Sequence, residues 1–192
     1  MTDEITLHEN KSFTDIDYSE KKLRDREFYN CSFNRCLFVK SDLIGNSFED
    51  CIFENCDFSM VTIYGVGFRN VTFIGCKLLG VDFTRCNKLM FSFSFADCCL
   101  DYSVFLGSKL VKTTFERCSL KEVDFSEANL MSSVFSNCDL DRAIFSKTKL
   151  EKTDFRTANN YSIDPEYNQM KKAKFSAFNL AGLLYKHQLD IE

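Results

Sequence analysis

Residues 31–58 read CSFNRCLFVKSDLIGNSFEDCIFENCDF, and from Phe33 every fifth residue is large and apolar: Phe33, Phe38, Leu43, Phe48, Phe53 and Phe58. Two positions before most of these stands a small side chain: Cys31, Cys36, Ser41, Cys51 and Cys56. A period of five fits neither the 3.6 residues of a helical turn nor the alternation of an ordinary strand. It fits a strand of two or three residues followed by a turn. The central residue (i) and residue i−2 then point inward, and residue i−1 points out.

Outward from this stretch, the series runs back through Phe28, Leu23 and Tyr18 to Phe13 and forward through Ile63, Phe68, Phe73 and Leu78 to Phe83. It slips by two residues and resumes at Phe95, continuing every fifth residue to Phe155. Five of the seven glycines (45, 65, 75, 80 and 107) fall two residues after a centre, where a turn with positive φ would want them. Every fourth centre is a phenylalanine: Phe13, Phe33, Phe53, Phe73, Phe95, Phe115, Phe135, Phe155 and then Phe175. A second column at i−2 on the next side holds Cys36, Cys56, Cys76, Cys98, Cys118 and Cys138. Both ladders repeat at 20 residues and absorb the same slip, so the chain reads as a coil with four sides. At a strand spacing of ~4.8 Å, about eight coils make an all-β rod roughly 38 Å long.

The units CSFNR, CIFEN, VDFTR, CSLKE and CDLDR resemble those of the pentapeptide-repeat proteins, with the pattern A/C/S/V–x–L/F–x–x over residues 11 to 160. The resemblance implies a right-handed quadrilateral parallel β-helix. The mid-chain slip and a short apolar C-terminal segment are also similar to the Qnr and MfpA branch. Members of that branch bind type II topoisomerases and shield them from quinolones, and they dimerise through the C-terminal end. Two functional expectations follow. One is a protein-binding module that mimics DNA and engages DNA gyrase or topoisomerase IV. The other is a repeat protein with an unrelated partner and no topoisomerase role.

The domain reading is an irregular segment at 1–10, the repeat at 11–176 with its slip at 84–94 and a loop at 157–169, and a helix with tail at 177–192. In the first coil Lys11, Ile16, Lys21 and Arg26 occupy the i−2 slots, which suits an open, wet terminal coil. Within the slip, Lys88 is expected to be expelled and Met90 to take the central slot. Phe178, Leu180, Leu183 and Leu184 make one apolar stripe at helical spacing, the candidate seam of a homodimer. The candidate partner surface has two parts. Asp42, Glu49, Asp50, Glu54 and Asp57 fall in a window, 41–68, without Lys or Arg. Ile44, Tyr64 and Leu106 follow the centres of one side and should form one exposed apolar patch.

The remaining features argue against other classes. The 192 residues are 45% apolar and 27% charged, which opposes wholesale disorder. Their net charge of −4 leaves no basic footprint for nucleic acid or an anionic membrane. No run is long enough to span a bilayer, and MTDEITLHENKSF lacks the layout of a secretory signal. Nine of the ten cysteines fall at i−2, where a reduced thiol packs as a small apolar residue, and only Cys99 faces out. A reducing, cytoplasmic setting follows. His8 and His187 lie near opposite termini, and YGVGF places its two glycines in the turn phase of the repeat. Neither a catalytic constellation nor a cofactor or metal site is expected.

Overall fold

The computed structural model describes residues 6–190. Ten short strands carry the most regular pairing: β1 (Thr6–Glu9), β2 (Ser12–Thr14), β3 (Arg26–Tyr29), β4 (Ser32–Asn34), β5 (Ser47–Glu49), β6 (Ile52–Glu54), β7 (Gly67–Ile74), β8 (Phe91–Ala96), β9 (Thr114–Glu116) and β10 (Val134–Ser136). Every pairing between them is parallel, and outside the break at β7 and β8 it joins residues 20 positions apart, as in Phe13 with Phe33 and Phe33 with Phe53. Single bridges continue the same register on the other sides, for example Asp57 with Lys77 and Asp124 with Ile144. The result is a parallel β-solenoid of about seven turns. Its four sides are numbered here by their first large apolar centre: side 1 from Phe13, side 2 from Tyr18, side 3 from Leu23 and side 4 from Phe28.

The interior is a set of stacked columns. On side 1 the phenylalanine rings lie nearly parallel, with centroids 4.8 Å apart for Phe115 and Phe135 and 4.9 Å for Phe135 and Phe155. Neighbouring sides meet edge to face, as for Phe115 and Phe125 at 6.0 Å. Each such pair contributes ~0.5–1.5 kcal/mol beyond area burial. Several i−2 slots are filled by groups that satisfy the coil beneath them. Ser133 and Thr153 donate their hydroxyls to the carbonyls of Leu110 and Leu130, at 2.5 and 2.7 Å. The Cys56 and Cys138 thiols approach the Phe33 and Phe115 carbonyls at 3.5 and 3.4 Å in the same way. Small is therefore what the slot demands; where the group is polar it bonds to the coil beneath, and Val123 and Ala128 fill it without a bond. All ten cysteines are free, and burial pushes the Cys51 thiol up to about 12.

The corners are left-handed whatever residue occupies them. Gly45 and Gly65 have φ of 74° and 70°, but Asp50, Met60 and Lys152 adopt 53°, 60° and 60° at equivalent positions. The strain at non-glycine corners, of order 1 kcal/mol each, is offset by a regular bond. The corner amide donates to the next coil, as Lys40 does to Ser59 at 3.0 Å. So glycine marks some corners and the interlocking hydrogen bonds hold the rest.

Four places differ from the sequence-based reading. Segment 1–10 is not irregular where it is described: β1 pairs with β3, and His8 occupies a side-4 centre stacked 4.8 Å from Phe28. Histidine is polar, yet its ring continues the aromatic stack. Residues 1–5 lie outside the described residues. In the slip, Lys88 is exposed as expected, but Met90 does not take the centre. Phe91 pairs opposite Phe68, and the buried ring of Phe93, in an i−2 slot of side 1, reaches into the gap between Phe68, Phe83 and Phe105. Met90 instead lies over Gly67, where an added Cβ would stand 3.0 Å from its sulfur. Gly67 is thus a strand position relieved for Met90 rather than a turn.

The expected loop at 157–169 remains partly on the ladder. Asn159 pairs with Asp139, Gln169 pairs with Lys149, and Tyr161 and Ile163 are buried between these points. Finally, the C-terminal helix is a pair of 3-10 turns, Ala177–Leu183 and Tyr185–His187, with a non-helical residue at Asn179. A 3-10 turn aligns residues three apart, so Phe178, Leu180, Leu183 and Leu184 do not share one stripe. Leu183 packs on the core, whereas Phe178 is 97% exposed. The segment is pinned to the last coil: Tyr161 donates its hydroxyl to the Asn179 carbonyl at 2.8 Å, and Asn179 donates to the Ala158 carbonyl at 3.1 Å.

Candidate functional site

A filled interior leaves the outward faces as the working surface. Where the coil is interrupted, small spaces open: about 70 Å³ between Phe83, Phe91 and Leu106 beside the slip, and about 20 Å³ under His8 at the N-terminal end. A wider cleft of about 500 Å³ lies where the chain leaves the ladder, between Ile144, Tyr167 and Tyr185. Among the described residues no group of three His, Cys, Asp or Glu side chains is arranged to hold a metal ion. No helix among them is long and apolar enough to cross a membrane.

The five acids of the 41–68 window are not brought together. Asp42 belongs to side 3, Glu49 and Asp50 to side 4, Glu54 to side 1 and Asp57 to side 2, so they ring one coil instead of lining a face. Each is also engaged by another group of the coil, four from an adjacent turn and Asp57 from its own. Arg24 pairs with Asp42 and holds its carboxyl below the usual range. Arg69 pairs with Glu49 at 3.1 Å, Asn70 donates to Asp50 at 2.6 Å and Asn34 to Glu54 at 2.8 Å. Asp57 accepts from the Ser59 amide at 2.9 Å. Sequence spacing places charges in a window, but a four-sided coil distributes any window of 20 residues around its whole perimeter.

The apolar candidates fare differently. Ile44, Tyr64 and Leu106 do lie in one column of side 3, but Thr84 separates Tyr64 from Leu106 and Ile44 is half-buried. The expected patch is therefore discontinuous along that column. Its continuation lies around the corner on side 2, where Leu37, Met60, Leu79 and Tyr102 are exposed on successive coils. The Met60 sulfur would lie 3.4 Å from a Cβ at Gly80, so the absent side chain leaves a dip beside Met60. Alignment of the outward positions coil by coil would have found these residues, because Met60 and Tyr102 stand two residues after a side-2 centre and Leu37 and Leu79 flank one.

A family model described as the pentapeptide repeat region matches residues 46–125 and 108–184, and a second, for eight copies of the repeat, matches 27–59. The chain belongs to the pentapeptide-repeat family. Among solved structures it is similar to HetL, a pentapeptide-repeat protein involved in heterocyst differentiation regulation from the cyanobacterium Nostoc sp. strain PCC 7120. That match has 13% identity and a TM-score of 0.74 over 89% of this chain and 86% of HetL. It is also similar to a trypsin-treated form of QnrB1, a plasmid-mediated fluoroquinolone resistance protein, with 18% identity and a TM-score of 0.57 over 98% of both chains. No curated protein matches the sequence. At these identities the likeness is one of fold. Within that fold, this pentapeptide-repeat chain differs in what its faces carry, and the faces are where its function is to be sought.

Proposed function

We propose that the chain is a non-enzymatic protein-binding module, and that its partner docks on the edge between sides 2 and 3 of the middle coils. The observation that carries this reading is the exposure there of Met60, Tyr64, Tyr102 and Leu106, at 59%, 60%, 54% and 45%. Large apolar and aromatic side chains gathered on a rigid surface supply the anchors of protein interfaces. Replacing Tyr64 and Tyr102 together by Ser should leave folding intact and abolish capture of the partner; retained capture would move the interface elsewhere.

A narrower reading makes that partner DNA gyrase or topoisomerase IV, approached by mimicry of DNA. It draws support from the end-to-end likeness to QnrB1 and from the net acidity of residues 1–100, where 15 acids face 11 bases. A supercoiling assay with purified gyrase tests it. Inhibition, or rescue from a quinolone, at micromolar protein supports topoisomerase binding; neither effect leaves the broader module with an unrelated partner. In the same proposal two copies associate through the C-terminal end, on the strength of exposed Phe178, Leu180 and Tyr185. Light scattering should then give twice the 22.3 kDa chain mass, and Phe178→Glu should halve it.

A further inference from the structure

The C-terminal half of the chain carries 13 acids and 13 bases, a balance that conceals a strong asymmetry. Side 4 and its two corners comprise residues 107–112, 127–132, 147–152 and 167–172 in successive coils. Those 24 residues hold seven lysines (109, 112, 147, 149, 152, 171 and 172) against Glu127 and Glu151, a net of +5. The other residues from 101 to 192 therefore carry −5. All seven lysines are exposed, and none makes an ion pair with a described residue. The three arginines of the same half behave otherwise, since Arg117, Arg142 and Arg156 are each locked to a carboxylate.

The register turns this composition into a pattern. Lys109, Asn129, Lys149 and Gln169 are bridged in one row, and the corner row beside it runs Lys112, Ser132, Lys152 and Lys172. In the first row cations and neutral hydrogen-bond donors alternate, and the corner row ends in two successive lysines, at ~4.8 Å per coil along roughly 14 Å of the face. One aromatic side chain, the exposed Tyr167, stands at the corner beside Lys147 in the last coil, and Val111 and Met131, the apolar residues of the middle row, are half-buried. An array of point cations with amide and hydroxyl donors suits an extended line of phosphates. A single corner ring cannot stack successive bases, and the rows between the corners present no protruding apolar group to anchor in a bilayer.

We propose that this lysine face of side 4 is a docking surface for the phosphodiester backbone of a nucleic-acid duplex, held without base readout. It adjoins the edge proposed for the protein partner only at Leu106, beside Gly107 and Lys109, and its argument does not depend on that edge. The whole-chain charge of −4 hides this face because acids elsewhere on the perimeter outweigh it.

Fluorescence anisotropy with a duplex of mixed sequence tests the proposal between about 50 and about 200 mM salt. Seven phosphate contacts give a slope of log affinity against log salt of about −6. The triple variant Lys109→Gln, Lys149→Gln, Lys152→Gln should flatten that slope by about three, with an unchanged circular dichroism melt. The pair Lys40→Gln, Lys77→Gln, which lies on side 2, should bind as the parent does. Absence of duplex binding at about 50 mM salt, or a triple variant that binds like the parent, overturns the proposal. So does tighter capture by phosphatidylserine vesicles than by duplex, lost in the triple variant, which would assign the face to a membrane surface.

Discussion

The middle coils and the N-terminal end are built on one repeat, yet they are held together differently. From Phe95 to Phe155 every centre is buried, the rings stack on both sides, and beyond Phe93 the i−2 slots hold small groups, several of them bonded to the coil below. In the first coil the slots hold Lys11, Ile16, Lys21 and Arg26, and Phe13, Tyr18 and Leu23 are only partly buried. Its outermost layer is β1, whose His8 stacks on Phe28 with Lys11 and Arg26 as charged neighbours. The same unit is thus fully packed when covered above and below and half-packed at the end, which should make it rigid in the middle and labile at the end. In a stacked coil, stability depends on the presence of both neighbours.

The largest predicted effect lies in the covered region. Phe115→Ala removes a ring flanked by Phe95 and Phe135 and should cost ~3–5 kcal/mol in urea unfolding. Phe93→Ala should cost almost as much, roughly 2–4 kcal/mol, because that ring fills the gap left by the slip. At the C-terminal end, Gly182→Ala would drive a Cβ into the Tyr161 backbone carbonyl and ring. It should release the 3-10 segment and lower stability by about 1–3 kcal/mol, with the change in exchange confined to residues beyond 157. Phe13→Ala, in the half-covered coil, should cost clearly less than Phe115→Ala; equal losses would contradict the contrast between the two regions.

The smallest effect is that of pH on β1. Burial, with help from Lys11 and Arg26, lowers the His8 pKa below its ordinary value. The unfolded segment therefore binds its proton first as pH falls, and stability declines from near pH 6.5 downward until the folded ring also protonates. Fraying of residues 6–9 should grow across that window in hydrogen exchange. His8→Phe should abolish the trend, and a pH-independent parent would remove His8 from the account.

Much of this was legible in the sequence because a centre must be both large and inward, and that constraint prints itself every five residues. Phe33, Phe53 and Phe115 announce the four sides without help. What was not legible is where the rule is met by an unexpected residue. His8 is a centre by shape and not by polarity, and Phe93 fills a side on which it does not stand. Met90 is displaced because Gly67 makes room for it outside the core. The short C-terminal helix is legible, but its apolar stripe is not, because the segment tightens to 3-10 and aligns residues three apart. Surface function was the least legible part. Residues adjacent in sequence, such as Glu49, Glu54 and Asp57, are dispersed around the perimeter, while residues 20 apart form the faces. The lysines of side 4 and the apolar edge of sides 2 and 3 emerge only when the chain is read down its columns.

Native-state hydrogen exchange tests the central contrast most directly, since it reads covered and half-covered coils in one sample. The amides of β9 and β10 should exchange only through global unfolding, with a protection that tracks the stability measured in urea. Those of β1 and β2 should exchange through local opening at far lower free energy. Uniform protection from residue 6 to residue 136, or a middle that opens before the N-terminal end, would contradict a stack whose strength comes from coverage on both sides.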